Sequence, residues 1–376
     1  MFCATLFEYP FQDALESLLH AICYTLLKTA ITTTPNKGMH MRTFTTKAKM
    51  VSLGIMAGLA IGLSAGAQAA PSVLQVKETA KSDYAKTKYP ILMVHGWLGW
   101  SRIGNDSFNI DYWYQILPDM ARNGSTVFAA QLSPANTTAY RGEQLITQVE
   151  DVLAITGKDK VNLIGHSHGG PTVLYVAATK PQYLASITGV AGTYHGSKVA
   201  DDIQGNKLTK SAFNILGDYI IGPLIALAQS KPELGIDFDA SMKSLSQTGS
   251  AAFNATVAKS AVAAGVLASS ENCSKNLNSV DTKGVRYYSW TGVAQTTNLL
   301  DIDTILMQLG PLSYGNKDND GMVSRCSAYI GQVIRDDYKL NHTDLANMMF
   351  GLTGLFAQDP VALYRQHANR LKLQGL

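Results

Sequence analysis

Charge is scarce in this chain: 16% of its 376 residues are Asp, Glu, Lys or Arg, and the net charge is only +3. So small and dispersed a balance excludes a nucleic-acid-binding surface as the organising feature. Cysteine is scarcer, with four in all, and two of them, Cys3 and Cys23, lie in the N-terminal leader. Only Cys273 and Cys326 remain, and in an exported chain two cysteines most simply pair. A long apolar run is also missing. The strongest, Val51–Leu63, is too short and glycine-rich to span a bilayer comfortably. There are no internal repeats and no low-complexity linkers, so residues 70–376 read as one domain, long enough to bury a large core.

What precedes that domain is an export signal. Arg42, Lys47 and Lys49 form a basic region, Val51–Leu63 an apolar one, and Ala67-Gln68-Ala69 a small-residue cleavage site before Ala70. Residues 39–69 are therefore read as a signal peptide. Residues 1–38 are read as a non-native extension, with translation starting at Met39 or Met41.

The most informative stretch is Lys160-Val-Asn-Leu-Ile-Gly165-His-Ser167-His-Gly169-Gly170-Pro171. An apolar strand (Val161, Leu163, Ile164) leads into Gly165-x-Ser167-x-Gly169, and Val173, Leu174 and Val176–Ala178 continue as a helix. This is the pattern of a nucleophile elbow, the strand-to-helix turn of α/β hydrolases that lifts a serine hydroxyl above the sheet edge. Around it, Ile91–Val94, Thr126–Leu132, Ser186–Val190, Val285–Trp290 and Gln332–Arg335 read as strands. Ile110–Asn123, Arg141–Ile155 and Val361–Lys372 read as helices. Their alternation predicts an α/β fold with a mostly parallel sheet. Residues 70–88 read as a polar surface lead-in, and Thr193–Asp202 as a loop over the sheet edge in which His195 and Ser197 are more simply structural than catalytic.

Residues 209–231 break the rhythm. Phe213, Leu216, Ile220, Leu224 and Leu227 recur at helical spacing, interrupted by Gly222 and Pro223. So apolar a helix is either core or a mobile cover. Its place between nucleophile and acid favours the cover, and alanine- and serine-rich residues 240–270 extend a helical cap that spans about 205–270.

In an α/β hydrolase the triad runs Ser, then acid, then His. His342, late in the chain in a polar loop, is the expected base for Ser167. His168 and His367 are read as structural, and so is His95, in the loop after the first strand. Asp320 is the expected acid, with Asp318 as the alternative. The backbone amides of Trp97 and His168 are the expected oxyanion donors.

His95-Gly96-Trp97-Leu98-Gly99, Val161–Pro171, Asn319-Asp320-Gly321, Val333-Ile-Arg-Asp336 and Tyr364-Arg-Gln-His-Ala-Asn-Arg-Leu-Lys372 together resemble the secreted true lipases of the Pseudomonas type. The likeness runs from about Tyr89 to the C-terminus. It implies an α/β-hydrolase core with a helical lid that opens at oil–water interfaces, hydrolysing long-chain triacylglycerols. It also implies the triad Ser167, Asp320 and His342, and a disulfide between Cys273 and Cys326. One structural calcium ion would sit on Asp301 and Asp344 with the backbone carbonyls of Met348 and Leu352. A periplasmic membrane-anchored foldase and a type II route outward are implied as partners. The sequence departs from the family at Met348, where relatives often carry Gln, and at Trp97, which replaces a smaller residue and would narrow the acyl pocket. A carboxylesterase for short, soluble esters is the alternative activity, and a non-catalytic lipid-binding module the alternative class.

Overall fold

Four residues, Ile91–Val94, bury every side chain, and they set the middle of the sheet. A computed structural model describes residues 73–104, 109–205, 232–260, 265–298, 301 and 303–376. These fall within one compact unit, Gly62–Leu376. The leader (1–38 and 39–69) and the apolar stretch 209–231 lie outside the described residues.

In chain order the elements are β1 (Val73–Val76), β2 (Ile91–Val94), β3 (Arg102–Gly104), β4 (Asn109–Asp111), α1 (Ile116–Arg122), β5 (Val127–Ala130) and α2 (Thr138–Thr156). Then come β6 (Val161–His166), α3 (Gly169–Thr179), β7 (Leu184–Val190), α4 (Lys198–Gly205), α5 (Phe238–Leu245) and α6 (Gln247–Val257). The chain continues through β8 (Arg286–Gly292), α7 (Asp303–Met307), α8 (Leu309–Tyr314), β9 (Gln332–Tyr338) and α9 (Pro360–Leu373). Seven strands form one sheet in the order β1-β5-β2-β6-β7-β8-β9. All neighbours are parallel except β1, which runs antiparallel against β5.

Burial on both faces explains the composition of the central strands. Every residue of β2, β5, β6 and β7 is buried. Each fully buried Val, Leu or Ile there contributes about 1.5–3 kcal/mol. The helix α2 presents Leu145, Ile146, Val149 and Val152 to the same core. Thr137 caps its start by accepting from the Tyr140 amide, and Gly157, with φ 64°, ends it in the left-handed conformation that a side chain resists.

Strand order reverses between β2 and β6, because the chain goes outward from β2 to β5 and returns to the other side for β6. At such a switch point the loops leaving the two carboxyl ends part and leave a crevice. The loops after β2 and β6 carry Trp97 and Ser167.

The structure corrects three sequence-based expectations. Ile110–Asn123 is not one helix: Asn109–Asp111 pairs antiparallel with Arg102–Gly104, held by the Arg102–Asp111 ion pair at 2.5 Å, and the helix starts only at Ile116. Residues 70–88 are not merely a surface lead-in, since Val73–Val76 adds an edge strand. Thr193–Asp202 is a loop only to Ser197, after which Lys198–Gly205 is helical with an Lys198–Asp202 pair at 2.7 Å. Within 240–270, helix occupies α5 and α6, and none occurs among the described residues 265–270.

Candidate active site

Ser167 sits between β6 and α3 with φ 56°, in the left-handed region that disfavours any side chain. The turn is held by Ser167 N–H donating to the Val190 carbonyl and Gly170 N–H donating to the Ser167 carbonyl, each 2.9 Å. Its tightness requires the flanking glycines. A Cβ at Gly165 would come 2.2 Å from the Gly169 carbonyl oxygen, and one at Gly169 would come 2.3 Å from that of Val94. Both obstacles are backbone and cannot swing aside. Gly165→Ala is therefore expected to cost about 3 kcal/mol or more, read as a lowered urea midpoint.

His342 and Asp320 meet on the loops after β9 and α8. The His342 ring donates from Nδ1 to Asp320 Oδ2 at 2.8 Å, and the His342 amide donates to the Asp320 carbonyl at 2.8 Å. This leaves Nε2 as the basic nitrogen. Asp320 is fully buried, and its other oxygen accepts from the Met322 and Val323 amides at 3.0 and 2.8 Å. Asp318, the alternative acid, is exposed and pairs with Arg325 instead. His342 and Ser167 line one pocket.

The loop after β2 presses on the nucleophile: a Cβ at Gly96 would approach the Ser167 Cβ to 2.7 Å. This brings the backbone at Gly96-Trp97 beside Ser167, while His168 follows it directly and starts α3. Three buried groups that sequence reasoning missed hold these parts. Arg141, wholly buried on α2, donates to the carbonyls of His95 at 2.6 Å and Ser133. Burial pushes its pKa down to about 9. The Gly96 amide donates to Tyr112 Oη at 3.1 Å, Tyr112 Oη meets His166 Nδ1 at 2.6 Å, and His166 Nε2 meets the His342 carbonyl at 2.8 Å. Those partners fix the direction of every proton: Tyr112 donates to Nδ1, and Nε2–H donates to His342. Burial, and then the neighbouring His342, hold His166 well below the usual histidine range, so it stays neutral. No spacing rule marks Tyr112 or Arg141, because their contacts cross the fold. Tyr112→Phe is expected to lower kcat about tenfold with a smaller change in KM, by loosening the Gly96 and His342 loops together.

The remaining described histidines make structural bonds. His95 accepts the Leu132 amide at 3.1 Å, His168 Nε2 meets Thr138 Oγ1 at 3.0 Å, and His367 Nε2 meets Thr188 Oγ1 at 2.8 Å. The His195 amide donates to Ser327 Oγ at 3.1 Å, and Ser197, which lines the pocket, donates to the Met322 carbonyl.

The pocket is mostly apolar, with Leu98, Val199, Met242, Leu245, Leu306 and Met322 among its walls. Trp97 does line it, but its indole N–H donates to Ser241 Oγ of α5 at 3.0 Å, tying the loop to the helical cap. Leu98 N–H donates to the Pro134 carbonyl at 2.7 Å, fixing the same loop from below.

Beside His342, the carboxylates of Asp301, Asp303 and Asp344 are buried, with oxygens within 4.8 Å of one another. Asp301 Oδ2 and Asp344 Oδ1 have no hydrogen-bond partner. Burial pushes Asp303 up to about 7 and Asp344 to about 6. Three crowded acids with orphaned oxygens fit a hard cation. Asp303, not expected as a member, is held by Asn341 Nδ2 at 3.3 Å and by Thr343 Oγ1. The Met348 carbonyl accepts from Gly351 N–H at 3.0 Å, and Leu352 lies on the same loop.

Cys273 and Cys326 are joined in a disulfide. It closes a loop of 53 residues that includes Asp301, Asp303 and Asp320. Replacing both cysteines by serine is expected to cost about 4 kcal/mol in unfolding free energy, measured under oxidising conditions.

A strained serine at a sheet switch point, a histidine oriented by a buried aspartate, and a matching α/β-hydrolase-fold domain over residues 89–218 define an α/β hydrolase. Solved structures of the same fold include mature Bacillus licheniformis lipase BlEst2 (17% identity, TM-score 0.50, 74% of this chain and 94% of that one). Lipase 1 from Pelosinus fermentans is similar (16%, TM-score 0.50, 76% and 99%). Sequence relatives are nearer. A triacylglycerol lipase of Vibrio cholerae is 42% identical over 303 residues, covering 79% of this chain and 92% of that protein. One of Burkholderia plantarii is 33% identical over 363 residues (88% and 99%), and one of Pseudomonas fragi is 36% identical over 306 residues (78% and 99%). The chain belongs to the triacylglycerol lipase family.

Proposed function

We propose that this protein hydrolyses the ester bonds of water-insoluble, long-chain acylglycerols through an acyl-enzyme on Ser167. The observation that carries it is Ser167 and the Asp320-bonded His342 opening together into a mostly apolar pocket. Ser167 Oγ attacks the ester carbonyl while His342 Nε2 takes its proton, and Asp320 steadies the imidazolium that forms. The oxyanion is met by the backbone amides of Trp97 and His168, and loss of one such donor costs about 3–4 kcal/mol. His342 then returns the proton to the leaving glycerol oxygen. Water, deprotonated by the same nitrogen, attacks the acyl ester, releases the fatty acid and restores Ser167. The apolar walls favour an acyl chain over a polar substrate.

A structural calcium ion on Asp301 and Asp344, with the carbonyls of Met348 and Leu352, completes the reading. It would neutralise buried carboxylates and brace the loop bearing His342, two residues from Asp344, without entering the chemistry. Chelation is accordingly expected to lower the thermal midpoint by several degrees, with activity lost alongside; an unchanged midpoint would count against this site. The family likeness and the 39–69 leader support export through the periplasm with help from a steric foldase. Among the described residues no helix is long and apolar enough to cross a membrane.

The deciding experiment compares emulsified long-chain with dissolved short-chain triacylglycerol. The proposal expects long-chain hydrolysis and a rate that climbs above the solubility limit. Activity confined to dissolved short esters would make the protein a carboxylesterase instead.

A further inference from the structure

Between Leu345 and Gln358 the sequence has no charged residue. Yet part of this stretch is surface: Phe350 is 56% exposed, Leu352 41%, Leu355 86% and Phe356 92%. Single exposed apolar residues are ordinary, but four in one short loop form a patch of the kind that meets a partner phase.

The backbone holds them out. Phe350 and Phe356 have φ 64° and 65°, in the left-handed region that bulky side chains avoid. Gly354 and Ala357 close a turn around Leu355 and Phe356, with Ala357 N–H donating to the Gly354 carbonyl at 3.0 Å. The base is anchored by Asn347 Nδ2 donating to the Tyr114 carbonyl at 2.7 Å and by the Phe350 ring packing edge-on against Tyr114. The loop also starts at the substrate site, since Met348 lines the pocket that holds Ser167 and His342. The chain from pocket-lining Met348 to the loop tip thus carries no charge.

We infer that residues 350–356 are a lipid-docking loop: Leu355 and Phe356 enter the surface of a neutral lipid phase and set the pocket mouth against it. The absence of charge along the loop matches an uncharged apolar phase rather than an anionic headgroup, and the start of the loop at the pocket wall, through Met348, gives docking a purpose. This rests on the lipase reading above.

The test is adsorption of the active full chain and of its Leu355→Ser/Phe356→Ser variant to triolein droplets, followed by depletion from the aqueous phase. Hydrolysis of the same droplets and of dissolved p-nitrophenyl acetate is measured in parallel. Adsorption and droplet hydrolysis are expected to fall about tenfold or more, while kcat/KM on the dissolved ester stays within about twofold. Phe356→Trp should retain adsorption. Unchanged adsorption overturns the inference. So does an equal loss on the dissolved ester, which would make the loop part of the pocket or a seat for another segment of this chain. A parent protein that is dimeric, with a monomeric variant, would assign the patch to a second copy and overturn it as well. If instead the parent adsorbs through this loop but does not hydrolyse triolein, the lipase reading fails and the docking loop stands.

Discussion

Triacylglycerol turnover by the Ser167→Ala variant is expected to fall roughly a million-fold, as removal of a triad nucleophile does elsewhere. The fold should survive. The elbow is held by backbone bonds from Ser167 N–H to Val190 and from Gly170 N–H to Ser167, which alanine keeps. Alanine also fits the left-handed backbone at φ 56° no worse than serine does. The check is titration of released fatty acid alongside a thermal melt. A melt within a few degrees of the parent, with activity gone, assigns the loss to chemistry. Retained activity would mean that another group attacks the ester.

Asp320→Asn is the second large effect, with kcat lowered about ten-thousand-fold. Asparagine can keep one oxygen toward the Met322 and Val323 amides, so the loop should hold. Its amide nitrogen then donates to His342 Nδ1 and forces the imidazole proton onto Nε2, the wrong place for a base. Asp318→Asn makes the matched control. That carboxylate is an exposed partner of Arg325, and its loss should change kcat by no more than about twofold. Equal losses at the two positions would contradict the assignment of Asp320.

The parts of this architecture that follow local rules could be read from the residues. The glycine-flanked serine after an apolar strand announces its own turn, because only glycine fits where a Cβ would strike the carbonyls of Gly169 and Val94. The parallel strands declare themselves by continuous burial, and α2 by its periodicity and its terminal Gly157. Chain order proposes His342 as base and Asp320 as acid, with Asp318 the alternative, and the fold buries Asp320 while leaving Asp318 exposed. What escaped depends on contacts across the chain. The edge strand Val73–Val76 is only four residues long, too short a run to stand out, and it pairs with β5. Ile110 and Asp111 looked like the start of a helix and instead pair, with Asn109, against 102–104, where the Arg102–Asp111 bridge joins the two strands. Asp303 joins the acidic cluster only when α7 folds against Asn341 and Thr343. The Tyr112–His166–His342 chain likewise links residues far apart in sequence.

The central claim is that Ser167, activated by His342, carries the acyl group. A serine-directed alkylphosphonate ester, added to the folded enzyme and followed by peptide mass mapping, tests it directly. The account predicts one adduct per chain, on the peptide containing Ser167, formed in step with loss of activity and strongly slowed in His342→Ala. No adduct on a folded protein, or inactivation through a different serine, would contradict it.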